Sequence, residues 1–268
     1  MAEAAVRGVN VHYDTVGTGS ALMLLMPQST GPLGTRPLVN ALAERHQVIT
    51  LQHRGTGRSG PAPSELSIDD LADDAIAVLD ALGLDRAQLV CHSTGCGAGL
   101  STAARWPDRV SALVLATPWT HADSHLTTMQ SLRKAAAQAL DPQQYARFNA
   151  ALLFPPDYRR AHSDGFTRMA REAITSPQDP DAIARRLDAI LAFDARALWP
   201  MIDCPTLVVS AGDDQLMPDW FAEQTAANIE GAELVEFTRG GHMLPETRRE
   251  DFTATVLAFL NRASQSGE

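Results

Sequence analysis

The chain has 268 residues, of which 45% are hydrophobic and 20% are charged, and its formal net charge is −10. This length and composition favour a large globular domain with its own buried core and exclude a disordered or fibrous chain. The negative charge argues against nucleic acid and membrane partners, because phosphate backbones and anionic lipid surfaces repel an acidic protein.

The N-terminal segment and the cysteines indicate the expected compartment. Met1–Gly8 has no apolar run after a basic start, and no window approaches the roughly 20 apolar residues of a membrane span. The three cysteines, Cys91, Cys96 and Cys204, lack the spacing of a disulfide framework or a metal site. We therefore expect a cytoplasmic protein with reduced cysteines and no metal, either a monomer or a homodimer.

Short, continuous apolar runs alternate with helical patterns along the chain. Strands that are buried on both faces lose their polar alternation, so these runs predict a mostly parallel sheet. After an antiparallel hairpin at Val6–Val16, the predicted strands are Ala21–Met26, Gln47–Leu51, Gln88–Cys91, Ala112–Ala116, Thr206–Ser210 and Glu233–Phe237. The clearest helix is Ile68–Leu82, with an apolar face and a capping signal at Ser67 and Asp70. The alternation indicates an α/β fold with a doubly wound sheet.

Residues 121–200 interrupt this alternation. They contain no convincing strand, and prolines separate their helical stretches. The predicted helices are Leu126–Leu140, Pro142–Leu153, Gly165–Ala173 and Pro180–Phe193. We therefore expect a core of residues 1–120 and 201–268 that carries a helical cap inserted at 121–200. A last helix is predicted at about Glu250–Asn261, and the polar tail Ala263–Glu268 is expected to fray.

Ser93 is the first residue that suggests chemistry. It follows the predicted strand Gln88–Cys91 and precedes a helix that runs from about Thr94 to Arg105. A serine on such a turn is presented at the carboxyl end of the sheet, where it can act as a nucleophile. Gly95 supplies the small residue that the turn needs, whereas Cys91 stands where glycine is usual. The alternative is a simple helix cap, because serine at a helix start commonly satisfies backbone N–H groups.

Two further signals follow later strands. Asp213 and Asp214 come after Thr206–Ser210, and His242 comes after Glu233–Phe237. A carboxylate that accepts a hydrogen bond from a histidine fixes its tautomer and stabilises the imidazolium, as in a Ser-His-Asp triad. Taken singly, the carboxylates are explained as helix caps and the histidine as a surface residue. The chain order Ser, Asp, His at three strand ends favours the triad, because ligands bind at that edge of a parallel sheet.

Over nearly its whole length the chain resembles the α/β-hydrolase family. The likeness is carried by Leu89–Leu115, by the acid loop Asp214–Pro218 and by the glycine-histidine pair that ends at His242. The resemblance implies the α/β-hydrolase fold, with Ser93 as nucleophile, Asp214 as the acid and His242 as the base.

A weaker likeness points to a sub-group of that family. Arg54–Gly57, Leu152–Asp157 and Arg185–Asp194 are similar to segments of enol-lactonases and of the carbamate or aminoacrylate hydrolase of pyrimidine degradation.

The resemblance also implies an oxyanion hole formed by the backbone N–H groups of Ser29 and Thr94. Most family members have His-Gly after the first central strand, where this chain has Pro27 and Gln28. The Gln28 side chain would then either crowd the site or donate a hydrogen bond to the substrate carbonyl, so it is a candidate substrate contact.

Further candidate substrate contacts lie beyond a central strand and in the cap. Trp119 and His121 come just after the predicted strand Ala112–Ala116, and Phe154 belongs to the insertion. Apolar cap residues are expected either to line a pocket or to pack the cap on the sheet. They are Phe148, Phe154, Tyr158, Phe166, Met169, Leu187, Ile190 and Phe193.

Together these features predict a serine hydrolase that acts on a small, partly apolar molecule. It would cleave an ester, lactone or similar acyl bond through an acyl-enzyme, with no cofactor. The same triad also suits a carbon–carbon bond hydrolase, a carbamate hydrolase or an acyltransferase. A ligand-binding receptor with a weak or inactive triad is the alternative from another class, since a fold alone does not determine function.

Overall fold

The computed structural model describes residues 2–27 and 31–266. Within them the chain forms an eight-stranded sheet in the order β1-β2-β4-β3-β5-β6-β7-β8. The strands are β1 Ala2–Val6, β2 Val9–Val16, β3 Ser20–Leu25, β4 His46–Leu51, β5 Ala87–His92, β6 Val110–Ala116, β7 Thr206–Ala211 and β8 Glu233–Phe237. Strand β2 pairs antiparallel with β1 and β4, and the pairs from β4 to β8 are parallel. The predicted α/β-hydrolase fold with a mostly parallel sheet is confirmed.

Helices cover both faces of the sheet. They are α1 Arg36–Ala43, α2 Ile68–Ala81, α3 Thr94–Arg105, α4 Ser124–Ala139, α5 Pro142–Leu153, α6 Pro156–Ala161, α7 Ser163–Thr175, α8 Pro180–Ala192, α9 Asp219–Asn228, α10 Leu244–Thr247 and α11 Arg249–Ser266. Alternate residues of β3 show the two faces: Met23 joins the core cluster with α2, α3 and α9, whereas Leu24 joins the cluster with α1 and α11. None of the helices in the described ranges combines the length and apolar character needed to span a bilayer.

Helix α2 follows the prediction at its start and departs from it on one face. A capping box joins Ser67 and Asp70, so the side chain of each accepts a hydrogen bond from the other's backbone N–H. The sequence pattern places Asp73 and Asp74 mostly on the polar side, but both are buried. Asp74 is stabilised there because the Arg54 guanidinium donates two hydrogen bonds to it, of 2.9 Å and 2.5 Å.

The segment between β6 and β7 is helical, as expected, and contains one helix more than the sequence predicts. The additional helix is the short α6, which follows directly on α5. Helix α5 packs against α7, and α4 packs against α8. Ile183 and Leu187 of α8 belong to the core cluster on the α3 side of the sheet, so α8 packs on the core.

The C-terminal segment is more ordered than predicted. Ala263–Glu268 is expected to fray, but α11 continues to Ser266, and residues 267–268 lie outside the described ranges. Ala263 packs on the cluster formed with α1. The Ser264 hydroxyl accepts a hydrogen bond of 3.2 Å from the Gln88 side chain. These two contacts to the core explain why the helix extends beyond the apolar run.

Candidate active site

Ser93 occupies a tight turn between β5 and α3. Its backbone has φ 53° and ψ −120°, a conformation that residues with a side chain rarely adopt. The turn is held from both sides, because the Ser93 N–H donates to the Ala116 carbonyl at 3.0 Å and the Ser93 carbonyl accepts from the Cys96 N–H at 2.7 Å. Strained backbone of this kind concentrates at functional sites.

Glycines make this turn sterically possible. A Cβ at Gly95 would lie 1.7 Å from the Leu25 carbonyl oxygen, so no larger residue fits there without moving β3. Cys91, the departure two positions before the serine, is accommodated by Gly99, because a Cβ at Gly99 would lie 2.4 Å from the Cys91 sulfur. The helix therefore approaches β5 closely enough to present the serine at the sheet edge.

Three side chains from separate loops form one hydrogen-bonded row. His242 Nε2 lies 2.7 Å from Ser93 Oγ, and His242 Nδ1 lies 2.9 Å from Asp214 Oδ2. All three residues are buried. The other Asp214 oxygen accepts hydrogen bonds from the N–H groups of Leu216 and Met217 at 2.8 Å and 3.0 Å. These backbone donors fix the carboxylate, which in turn orients the imidazole toward the serine.

The neighbouring carboxylate has a different position. Asp213 Oδ1 accepts hydrogen bonds from the Gly240 and Gly241 N–H groups, at 2.8 Å and 2.7 Å. Gly241 has φ 61°, and a Cβ there would lie 2.8 Å from the Pro155 ring. Asp213 thus shapes the loop that carries His242, and Asp214 contacts the ring itself. The sequence pattern alone leaves these two acids indistinguishable.

His92 is a residue of the site that the sequence analysis overlooked. Its Nε2 lies 2.8 Å from the His242 carbonyl oxygen, and its Nδ1 has no hydrogen-bond partner among the described residues. Burial, together with the nearby His242, lowers the pKa of His92 to about 3. His92 is therefore a neutral Nε2–H donor that holds the backbone of His242. The only sequence signal was its place directly before Ser93.

This buried neutral histidine makes stability dependent on pH. The pKa of His92 is about 6.5 in the unfolded chain and about 3 in the folded protein. As the pH falls between these two values, the unfolded chain binds the proton and the folded protein does not, so the unfolded state is favoured. From neutral to about pH 5, we expect His92 to account for a loss of about 2 kcal/mol in the free energy of unfolding. Urea denaturation at both pH values, for wild type and His92→Gln, measures the difference. An equal pH dependence in the two proteins would contradict the assignment.

Of the two predicted oxyanion donors, the structure describes one, Thr94. Thr94 is the first residue of α3, where helix N–H groups lack an intrahelical acceptor and the helix dipole favours negative charge. Thr94 lines the cavity beside Ser93, and Pro27 lines the same cavity. The other predicted donor, Ser29, and the predicted substrate contact Gln28 lie outside the described residues.

A cavity of about 50 Å³ lies against Ser93 and His242. Apolar and polar side chains contribute to its wall in nearly equal number. The apolar side chains are Pro27, Leu153, Ile183, Leu187, Ile190, Leu216, Met217 and Met243, and the polar ones from the insertion are Arg133, Tyr145, Gln178 and Arg186. A second cavity, of about 770 Å³, shares Tyr145, Leu153, Gln178 and Ile183 with the first. We call the cavity beside Ser93 the inner cavity, and it is the smaller of the two.

The other predicted substrate contacts lie away from this inner cavity. Trp119 is fully buried, donates its indole N–H to the Ile190 carbonyl at 3.2 Å and contributes to neither cavity wall. Trp119 packs α8 on the core, and its contact with substrate stays a prediction. His121 also lies outside both walls and stands edge-on to Phe221. Phe154 lines the larger cavity.

Two residues of the predicted apolar set, Leu187 and Ile190, line the inner cavity. Others pack the inserted helices together or onto the core. Phe154 contacts the rings of Tyr158 and Phe166, and Phe193 contacts Trp119. Both alternatives from the sequence, pocket lining and packing, are therefore represented.

A serine, a histidine and an aspartate that are joined by hydrogen bonds at the carboxyl edge of a mostly parallel sheet are typical of hydrolases with an α/β fold. Comparison with known proteins agrees with this class. Residues 28–248 match the family described as alpha/beta hydrolase fold. The chain belongs to the α/β-hydrolase family and is a hydrolase.

Particular relatives extend over nearly the whole chain. The protein named "Putative carbamate hydrolase RutD" from Azorhizobium caulinodans is 30% identical over 256 residues, which cover 96% of this chain and 97% of that protein. The protein of the same name from Caulobacter segnis is 34% identical over 230 residues, covering 85% and 86%. The crystal structure of the enol-lactonase from Burkholderia xenovorans LB400 superposes with a TM-score of 0.86 at 26% identity, covering 97% of this chain and 100% of that one. The predicted likeness to this sub-group is confirmed.

Proposed function

We propose that the protein hydrolyses an acyl bond of a small ester, lactone or carbamate, with Ser93 as nucleophile, His242 as general base and Asp214 as the group that orients the base. One observation carries the proposal: the unbroken hydrogen-bonded row from Asp214 through His242 to a serine on a strained turn. The names of the relatives, a carbamate hydrolase and an enol-lactonase, support the choice of bond.

The geometry supports a two-step reaction. Ser93 Oγ attacks the substrate carbonyl carbon while its proton passes to His242 Nε2, and the Thr94 N–H stabilises the negative oxygen that forms. His242 then gives the proton to the leaving oxygen or nitrogen as its bond to the carbonyl breaks, which leaves an acyl-enzyme. Water attacks this ester, again losing a proton to His242, and the proton returns to Ser93 as the acid departs.

The inserted helices have a role in this proposal. We propose that residues 121–200 act as a cap over a core of residues 1–120 and 201–268. The support is that Leu153, Ile183 and Leu187, from α5 and α8, form part of the wall around Ser93. A wall built by the cap excludes water from the reacting groups and strengthens their electrostatic interactions.

The experiment that tests the proposal combines labelling with a substrate panel. A fluorophosphonate should form one adduct, which peptide mass spectrometry locates at Ser93, and Ser93→Ala should remain unlabelled. In parallel, a panel of small esters, lactones and carbamates should reveal turnover by the wild type. Failure of the folded wild type to label would contradict an active serine and favour a ligand-binding receptor.

A further inference from the structure

Two arginines from different inserted helices face the cavity that contains the reactive serine. Arg133 lies on α4 and Arg186 on α8, and both belong to the cavity wall together with Ser93 and His242. The described wall of this cavity contains no aspartate or glutamate. The inner cavity therefore carries two positive charges in a chain whose net charge is −10.

Neutral side chains are the hydrogen-bond partners of these two guanidinium groups. Arg133 donates to the Gln130 side-chain oxygen at 3.0 Å and to that of Asn149 at 3.4 Å. Arg186 donates to the Gln178 side-chain oxygen at 3.1 Å. Within the described ranges, neither guanidinium has a carboxylate oxygen inside the 4.0 Å distance of an ion pair.

Their sequence neighbours behave differently. Lys134 lies 2.6 Å from a carboxylate oxygen of Asp188, and Arg185 lies 3.5 Å from one of Asp179. These two neighbours contribute to neither cavity wall. In each adjacent couple, Arg133 with Lys134 and Arg185 with Arg186, the cation outside the cavity wall is paired with an acid. The inward-facing cation, which lines the wall, has no acid partner among the described residues.

Both inward-facing arginines are electrostatically unfavourable without an anion. Burial lowers the pKa of Arg133, and burial together with the charge of Arg133 lowers the pKa of Arg186. Both residues are partly buried, and a partly desolvated, like-charged couple of this kind costs free energy that a bound anion recovers. Arginine matches a carboxylate especially well, because its fork of N–H donors can make two parallel hydrogen bonds.

We propose that Arg133 and Arg186 bind a carboxylate of the substrate, so that the substrate is an ester, lactone or carbamate with a second, anionic carboxyl group a few atoms from the carbonyl that Ser93 attacks. This inference rests on the proposed function for the attacked bond. The small inner cavity fits it, because Ser93, Arg133 and Arg186 line the same cavity and one short substrate can therefore contact all three. The arginines then select the substrate and set its direction toward Ser93.

Two esters of nearly equal shape test the selection. Monoethyl succinate carries a carboxylate where ethyl levulinate carries a neutral acetyl group. For the wild type, we expect kcat/KM to be roughly 10- to 100-fold higher for the anionic ester, the usual range for a hydrogen-bonded charge pair. Arg133→Gln and Arg186→Gln should each lower this ratio at least several-fold, and the double variant should bring it close to one. Because both kcat/KM values are measured on the same preparation of each variant, their ratio does not depend on the fraction of active enzyme.

Matched controls come from the same helices. Lys134→Gln and Arg185→Gln each remove one positive charge next to the proposed site, and both should leave the ratio unchanged. If they lower it as much as the Arg133 and Arg186 variants, the preference reflects general charge attraction and the proposal fails. A wild-type ratio near one, or a high ratio that survives the double substitution, would also overturn it.

A binding measurement makes the test independent of turnover. In the Ser93→Ala background, calorimetry should show that monoethyl succinate binds more tightly than ethyl levulinate, and adding Arg133→Gln with Arg186→Gln should remove the difference. Equal binding of the two esters before that addition would reject the anion site even if Ser93 is an active nucleophile. Selective binding by a protein that does not label with fluorophosphonate would instead retain the anion site and reject the hydrolase.

Discussion

Replacing Asp214 by asparagine is expected to lower kcat by about 10⁴-fold while leaving the protein folded. The asparagine amide would have to donate to His242 Nδ1, which now lies 2.9 Å from a carboxylate oxygen. The imidazole would then carry its proton on Nε2, 2.7 Å from Ser93 Oγ, and could not accept the serine proton. Steady-state turnover of the best ester from the substrate panel measures the effect, with near-ultraviolet circular dichroism as the check on folding.

Asp213→Asn is the matched control for this change. The Asp213 oxygen that accepts the Gly240 and Gly241 N–H groups can be replaced by an amide oxygen, which accepts the same two bonds. We expect this variant to keep kcat within about tenfold of the wild type, because the loop retains its shape. If the two asparagine variants lose activity equally, Asp214 has no special role as the acid behind His242.

The sheet and the meeting of Ser93, Asp214 and His242 at its edge were predictable because both follow from simple constraints. All six residues of β5 and of β7 are buried, so neither strand has a face in solvent and each contains a continuous apolar run. Parallel strands end at one edge of the sheet. Residues that directly follow such strands therefore meet in space, even when, like Ser93 and His242, they are far apart in sequence.

The side chains that line the cavity were not predictable in this way. Arg133 and Lys134 are adjacent on α4, and one step along a helix turns a side chain by about 100°. Which of the two cations faces the serine depends on how α4 is rotated against α8, and that rotation is fixed by packing between distant segments. The hydrophobic pattern of α4 alone does not specify it.

The packing of Trp119 shows a related dependence on distant segments. Its position just past β6 suggested contact with substrate, because ligands gather at that edge of the sheet. Its actual environment is made by two distant partners. Gly97 leaves room for the indole, since a Cβ there would lie 2.6 Å from the ring, and Ile190 accepts the indole N–H. A buried tryptophan needs such an acceptor, but the sequence does not show which carbonyl supplies it.

Replacing Asp74 by alanine is expected to lower the free energy of unfolding by about 3–5 kcal/mol. Arg54 and Asp74 form a buried, two-bond ion pair, with only 3% and 0% of their surfaces exposed. The carboxylate raises the pKa of Arg54, so the guanidinium stays charged. Without Asp74 this charge would remain buried, and the Asp70 carboxylate, 3.5 Å away, makes a longer contact than the one lost. Urea denaturation monitored by tryptophan fluorescence gives the change.

Asp80→Ala separates burial from ion pairing as the cause. Asp80 lies on the same helix, α2, and its carboxylate contacts Arg109 at 2.6 Å, but 61% of its side chain is exposed. Water and salt screen such a surface pair, so its loss should change the free energy of unfolding by no more than about 1 kcal/mol. Equal losses for the two alanine variants would show that the Arg54–Asp74 pair is hydrated in solution. A large loss for Asp74→Ala alone would show that the pair anchors the loop at Arg54 to α2. That loop also reaches the strand end beside the cavity, because His53 Nε2 lies 2.6 Å from the Met26 carbonyl oxygen.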